Sequence, residues 1–417
     1  MKNQQNRSRR GCAVCHRLPG RRTLRTIVTF LGMSLLFSCS GCVPPEVILT
    51  PPTDSSNATP TMPRISSIEK IAAGGNETFV LTSNGTIWAW GENANGTLGD
   101  GTYEDRCHPV EVTDLSDVVG IVSGREHSVA IVSGGSVWTS GQNDEGQLGD
   151  GGYVSDSPTH LRVTSVSQVT AADASAWHTV VLLTDGRVFS WGDNAYGQLG
   201  DGTTTDRAKP VQVSGLTDVV AVSAGRYHSL ALKKDGTVWA WGWNASGQLG
   251  TGDHNEHTSP VQVLNVIDIV AIAAGGGQSV ALDKAGGVWT WGNNANGELG
   301  DGTTDIKLIP VRVEGLSDTK AVAAGDAHTL TLKSNGIVFA WGNNDNGQLG
   351  DGTLEDRYTP VQVQGLSNAI GIAAGTNHSV ALTSDGTLWA WGKNNKGQLG
   401  DGTTIDQPVP EQVVSPK

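Results

Sequence analysis

The chain has 417 residues, 56 of them Gly and 13 Trp against only 3 Met, a composition of many short strands and tight turns that excludes ordinary α/β domains. Its net charge of −13 is unevenly divided: eight basic residues (Lys2, Arg7, Arg9, Arg10, Arg17, Arg21, Arg22, Arg25) and no acidic one fall in residues 1–42, leaving 20 Lys and Arg against 41 Asp and Glu, a net −21, over the remainder. A surface that acidic repels phosphate backbones, so nucleic-acid binding by the mature chain is excluded.

The basic stretch runs into the 12 apolar residues Thr26–Phe37. That length is too short to span a bilayer as a helix and suits the core of a signal peptide. Ser38-Cys39-Ser40-Gly41-Cys42 follows directly. Small residues and a Cys after an apolar core resemble a bacterial lipobox, in which the Cys thiol is acylated. Cys39 has Leu36 three positions before it, and Cys42 has the better Ser40-Gly41 pair; Cys39 is the favoured lipidation site and Cys42 the alternative. Residues 1–42 therefore read as a lipoprotein-type signal peptide with its lipobox. Cys12-Ala13-Val14-Cys15-His16 fits the spacing of covalent haem attachment. It lies in the segment that export discards, and no cofactor is expected. Residues 43–63, rich in Pro, Ser and Thr, read as an extended tether.

Residues 64–417 repeat. The marker dipeptides Trp90-Gly91, Ser140-Gly141, Trp191-Gly192, Trp241-Gly242, Trp291-Gly292, Trp341-Gly342 and Trp391-Gly392 are spaced by 50, 51, 50, 50, 50 and 50 residues. A period near 50 predicts a propeller or solenoid. Each copy reads as an apolar run ending Ala-Gly, two free positions, usually His-Ser, and a strand. An Asp-Gly or Asn-Gly turn leads to Val-Trp-Ala-Trp-Gly, then Asn, two free positions, Gly-Gln-Leu-Gly-Asp-Gly-Thr and Pro-Val-Gln-Val. In the fourth copy the expected strands are Val219–Ala224, Ser229–Lys233, Thr237–Trp241 and Val211–Val213 of the preceding unit, with Val261–Val263 closing the next. Asp235-Gly236 is expected to form a two-residue hairpin turn. Trp239 and Trp241 share one face of their strand, Val238 and Ala240 the other. Both faces are apolar, as a strand packed between two neighbouring sheets requires. The fold expected is an all-β, seven-bladed β-propeller of four-stranded blades. The frame leaves open whether the first strand closes the last blade. Only Cys107 of the five Cys lies among the repeats, so the core must hold without a disulfide inside the repeat region.

The pattern A-G-x-x-H-S-x-x-L…D-G-x-V-W-x-W-G-x-N-x-x-G-Q-L-G-D-G-T…P-V-x-V, from Ile65 to about Val414, resembles the repeat of the regulator of chromosome condensation family. With its export signal the chain looks like a bacterial-type, exported member. The resemblance implies a seven-bladed propeller. It also brings two functional precedents: nucleotide exchange on a small GTPase, and target binding by the loops of a secreted β-lactamase inhibitor protein. The second copy departs most from the pattern, with Ser140 in place of Trp and a one-residue insertion after it.

Residues repeated in every copy read as structural. Glu77, His127, His178, His228, Gln278, His328 and His378 occupy one position on a ring, pointing in rotated directions. Metal ligands must instead converge on one point, so these side chains are expected to be hydrogen-bonded structural groups. The Asp of Leu-Gly-Asp-Gly (Asp100, Asp150, Asp201, Asp301, Asp351, Asp401) reads as a turn former, and the repeated Trp as core. Function is sought at the free positions. The Ala-Gly-x-x-His turns and the Asn-x-x-Gly loops are expected at one end of the propeller. There Trp177, Arg226, Tyr227 and Trp243 replace the usual small or polar residues on adjacent blades, a pattern of protein-binding hot spots. The fourth long loop reads Thr251-Gly252-Asp253-His254-Asn255-Glu256-His257, and Asp253, His254 and His257 are weak metal candidates.

No motif of nucleophilic, metal-assisted or phosphate chemistry occurs in the sequence. The reading is a non-enzymatic, extracytoplasmic scaffold, lipid-anchored or secreted, with a protein partner held by the long loops. Membrane contact is expected only through the lipid anchor. The alternatives are a guanine-nucleotide exchange regulator, as the resemblance implies, and a glycan-binding surface lectin.

Overall fold

The computed structural model describes residues 68–153 and 155–414. Cys39, Cys42, the signal segment and the tether lie outside the described residues. The described residues form seven antiparallel four-stranded sheets and no helix.

Blade four shows how the repeat folds. Its strands are Val219–Ala224, His228–Lys233, Val238–Gly242 and His257–Gln262, paired in that order. Val211 does not belong to this blade as expected: its strand, Arg207–Gln212, pairs with the Trp strand of blade three. The fourth strand of blade four is the one that follows its own Trp strand in the chain, beginning at His257, earlier than the Val261 of the apolar pattern. Strand pairing follows backbone hydrogen bonding, which the polar residues ahead of Val261 satisfy equally well.

The hairpin differs from the expected two-residue turn. Gly236 has φ of 81°, whereas Asp235 is not among the residues with positive φ. Lys233 and Thr237 flank three loop residues, with the Gly236 N–H donating to the Lys233 carbonyl at 2.9 Å and the Lys233 N–H to that of Thr237 at 2.9 Å. This is a turn closed by a left-handed glycine, in which Asp235 accepts the Thr237 N–H at 3.0 Å and holds the bend. A second left-handed residue opens each inner strand from blade two onward: Asp117, Gln168, Asp218, Asp268, Asp318 and Asn368 all have φ between 55° and 60°. Asp and Asn tolerate this region better than other side chains. The Asp218 carbonyl accepts the Lys234 N–H of its own hairpin at 2.9 Å, so the inter-blade connection is pinned to the blade it enters.

The inner strands surround a central channel with a cavity of about 330 Å³, walled mostly by Ala and Gly. Each hydrophobic cluster spans two blades. Val238 and Ala240 pack with Ile269, Ala281 and Trp291 of blade five. Trp241, with Trp239 against the same cluster, packs with Val180, Leu182 and Val188 of blade three. The two-sided apolar strand read from the sequence therefore faces both neighbours as expected.

The frame left open by the sequence is resolved by the pairing. Blade one consists of Ile68–Ala73, Glu77–Thr82, Ile87–Gly91 and Arg106–Val112. Blade seven consists of Ala369–Ala374, His378–Thr383, Leu388–Gly392 and Gln407–Gln412. Neither lends a strand to the other. Instead Val80, Trp88 and Trp90 pack on Val380, Leu382, Ala390 and Leu399, and the Thr376 N–H donates to the Gly74 carbonyl at 2.8 Å.

Candidate functional site

The repeated side chains stitch neighbouring blades together. The Trp241 indole Nε1 donates to the Gln198 carbonyl of blade three at 2.8 Å, and the Ser229 hydroxyl donates to the same oxygen at 2.9 Å. Because that hydroxyl hydrogen is spent on the carbonyl, the His178 ring, 2.8 Å from Ser229 Oγ, donates through Nε2. The pattern recurs around the ring, from His127 to Thr179 at 2.9 Å, His228 to Ser279 at 2.9 Å, His328 to Ser379 at 3.0 Å and His378 to Thr78 at 3.0 Å. In blade two Ser140 stands where Trp belongs, and its hydroxyl donates to the Thr97 carbonyl at 3.2 Å, replacing the indole bond. Burial pushes His127 and His328 down to about 4, and His178, His228 and His378 down to about 3. The five imidazoles are neutral structural donors, as expected. In blade one the position is Glu77, whose carboxyl burial pushes up to about 8 against the N–H groups of Asn76 and Gly75 and the Ser123 hydroxyl.

The Asp of Leu-Gly-Asp-Gly is the turn former expected. Asp201 Oδ1 accepts the Thr203 N–H at 2.9 Å and its hydroxyl at 2.7 Å. Asn194, fully buried, ties the loop by donating to the Thr203 carbonyl at 3.1 Å and accepting the Leu199 N–H at 3.0 Å. In blade four the order Asp-Gly-Thr is reversed to Thr251-Gly252-Asp253. Thr251 Oγ1 now donates to Asp253 Oδ1 at 2.8 Å, and Asn244 Nδ2 donates to the Asp253 carbonyl at 3.0 Å. The hydroxyl–carboxylate bond and the Asn tie survive with their two ends exchanged, without the Arg207–Asp201 ion pair of blade three.

Local hydrogen bonds occupy two of the weak metal candidates. Asp253 is occupied by Thr251, Asn244 and Asn255, and His254 Nδ1 lies 2.9 Å from the Ala245 carbonyl. Asp253, His254 and His257 do not converge; the only three-residue set of ligand-type side chains brought together among the described residues is Glu145, Asp193 and Asp206.

The candidate recognition residues, in contrast, meet. The first turns of blades three and four carry Trp177, Arg226 and Tyr227, and the long loop of blade four carries Trp243. The Trp243 N–H donates to the Tyr227 carbonyl at 2.9 Å, which puts turn and loop at one end of the propeller. The Trp177 and Tyr227 rings stack with centroids 5.1 Å apart, and Tyr227 meets Trp243 edge-on at 5.7 Å. Arg226 lays its guanidinium 5.5 Å from the Trp177 centroid and 5.4 Å from that of Tyr227. Its Nη1 reaches to 4.0 Å from Asp326 across the channel mouth, with both side chains about one-third exposed at 37% and 34%. Cation–π contacts of this kind hold an Arg in place without removing it from solvent.

Sequence reasoning missed Tyr196. It sits 5.2 Å from Tyr227 and 6.1 Å from Trp243, completing a half-buried group of four rings. The signal was present: Tyr196 fills a free position of Asn194-Ala195-Tyr196-Gly197, where the other copies carry Asn, Glu, Ser or Lys.

The RCC1-like domain profile matches residues 117–417, and the regulator of chromosome condensation (RCC1) repeat matches residues 84–131 and 68–97. Human E3 ubiquitin-protein ligase HERC2 is 34% identical over 142 residues, 33% of this chain and 3% of that protein. The ultraviolet-B receptor UVR8 of Arabidopsis thaliana is 32% identical over 147 residues, 34% of this chain and 33% of that protein. The chain thus spans a third or less of these relatives. Among solved structures, Prp20p of Saccharomyces cerevisiae superposes with a TM-score of 0.71 at 22% identity, over 79% of this chain and 85% of that one. Human WBSCR16 superposes with a TM-score of 0.69 at 26% identity, over 76% and 86%. With seven in-phase copies, the inter-blade Trp and His bonds and a domain match over most of its length, the chain belongs to the regulator of chromosome condensation repeat family of seven-bladed propellers.

Proposed function

We propose that the chain is a non-enzymatic protein-binding scaffold that acts outside the cytoplasm, lipid-anchored through Cys39 or Cys42 or secreted, and grips its partner with the long-loop end of the propeller. The observation that carries this reading is the group of Trp177, Tyr196, Tyr227 and Trp243 with Arg226. The repeats place small or polar residues at these positions elsewhere, so the aromatic group is an addition to the fold and not part of its core. Half-buried rings with an Arg are the residue types that dominate binding energy at protein interfaces. Recognition of other proteins also fits the fold, since the Prp20p propeller binds Gsp1p and histones. The export reading rests on the basic-apolar-Cys order of residues 1–42 and on the −21 charge of residues 43–417.

Capture by the full-length protein tests the reading. Immobilised chain is exposed to envelope and culture-supernatant proteins beside a variant carrying W177A, Y227A and W243A. A protein retained by the wild type and released by the variant is the expected result. Equal retention by both moves the site off this patch, and glycan-array binding with no retained protein favours a lectin. Fractionation of C39S and C42S cells after palmitate labelling checks the anchor.

A further inference from the structure

At the seam between blades seven and one, the last long loop supplies a cation. Lys396 Nζ lies 2.6 Å from Glu92 Oε1 and 3.3 Å from Asp105 Oδ2. Glu92 follows Trp90-Gly91, and Asp105 accepts the Asn93 N–H at 2.8 Å through Oδ1. The same two acidic positions recur in blade three as Asp193, after Trp191-Gly192, and Asp206, which accepts the Asn194 N–H at 2.8 Å. The position that faces them from the preceding blade, two residues past the loop Asn, is Lys396 at the seam and Glu145 in blade two. The niche that holds an ammonium in one place therefore holds a third carboxylate in the other.

Carboxylate oxygens of Glu145, Asp193 and Asp206 lie within 4.8 Å of one another. Among the described residues none of the three makes an ion pair with a Lys, Arg or His. Burial and the neighbouring carboxylates, Asp193 and Asp206 first among them, raise the Glu145 carboxyl, and burial and Asp206 raise that of Asp193. Like charges held this close repel one another and favour any arriving cation. The acidic corner is continuous with the aromatic group. Asp193 and Tyr196 share one loop, tied together by Gln198, whose Nε2 donates to Asp193 at 2.8 Å and whose Oε1 accepts the Tyr196 N–H at 2.9 Å.

We propose that this corner binds a lysine side chain presented by a partner protein, its ammonium among Glu145, Asp193 and Asp206. The chemistry is that of Lys396 at the seam, with the ammonium supplied from outside. A metal ion is less well served. Both Asp193 oxygens and one of Asp206 already accept protein N–H groups. The inference rests on the protein-binding reading of the long-loop end and names what that end recognises.

The test is titration of the full-length protein with a 20-residue lysine oligomer, followed by Trp fluorescence. E145K installs the ammonium found at the seam, and E314K, at an exposed position remote from the patch, makes the same change in net charge. E145K should weaken oligolysine binding about tenfold or more, and E314K by no more than about twofold. Thermal melting of E145K, expected at or above the wild-type temperature, separates lost binding from lost folding. Equal affinities for E145K and E314K would overturn the proposal while leaving the aromatic patch as a protein site. So would calcium chloride binding that E145K abolishes and oligolysine does not displace. Loss of partner capture in the triple aromatic variant, with oligolysine binding unaltered in E145K, separates failure of this inference from failure of the wider reading.

Discussion

Replacing His228 by Gln, the residue that blade five carries as Gln278, tests why the ring prefers His. The five buried imidazoles each donate one inter-blade bond through Nε2, and Nδ1 of His127, His228, His328 and His378 has no partner. Their folded pKa values of about 3 to 4 lie below the ordinary 6.5. Below pH 6.5 the unfolded chain takes up protons that the folded chain does not. The stability these residues contribute is complete above pH 6.5 and is lost as pH falls toward 4, at about 1.4 kcal/mol per pH unit for each His. Glu77 acts in the opposite sense: held protonated up to about 8, it loses its contribution as pH rises from 4.5 to 8. One Glu against five His leaves acid as the stronger denaturant. Urea unfolding between pH 6.5 and 4 should show a slope shallower in H228Q than in wild type by about one His equivalent. Identical slopes would mean that His228 is not held neutral by burial.

The loops show which parts of an element a sequence reveals. The reversed Thr251-Gly252-Asp253 looked like a broken motif carrying ligands. It keeps the hydroxyl–carboxylate bond and the Asn244 tie, because a hydroxyl and a carboxylate two residues apart bond in either order. The double exchange T251D/D253T, which restores the order of the other blades, should therefore change stability by less than about 0.5 kcal/mol. D253A alone removes the Oδ1 that accepts the Thr251 hydroxyl, while its backbone carbonyl still accepts from Asn244, and should cost about 1 kcal/mol. A large loss in the double exchange, measured by denaturant unfolding, would show that the two orders are not equivalent. The first three strands of each blade, the facing of Trp239 and Trp241 and the shared end of the two loop types were legible in the sequence, because residue alternation and period dictate them; the blade to which the fourth strand belongs was not. The turn type at Asp235-Gly236 was not, since Asp-Gly serves two-residue and three-residue turns alike. Tyr196 escaped for a related reason: its neighbours in space, Tyr227 and Trp243, lie 31 and 47 positions along the chain, and only the ring geometry joins them.

Closure was the part of the whole molecule that the repeat could not reveal, because a 50-residue period reads the same wherever a blade is taken to begin. The pairing answers it: every blade is four consecutive strands, and the seam between blades seven and one carries the same indole bond as the junctions from blade two to blade seven. Trp90 Nε1 donates to the Gln398 carbonyl at 2.9 Å, as Trp241 does to that of Gln198 at 2.8 Å. Both indoles are fully buried. No strand is exchanged across the seam among the described residues, so its strength is that of one inter-blade packing face plus the Lys396 pairs. W90A and W241A should then cost similar amounts, about 3–5 kcal/mol each. The two variants should nonetheless open different parts of the ring. Hydrogen exchange should accelerate in blades one and seven for W90A and in blades three and four for W241A, with the far side of the ring protected in both. Uniform exchange around the ring would show that the propeller opens only as a whole, and a much smaller loss for W90A would place the closing strength elsewhere than in this side-chain seam.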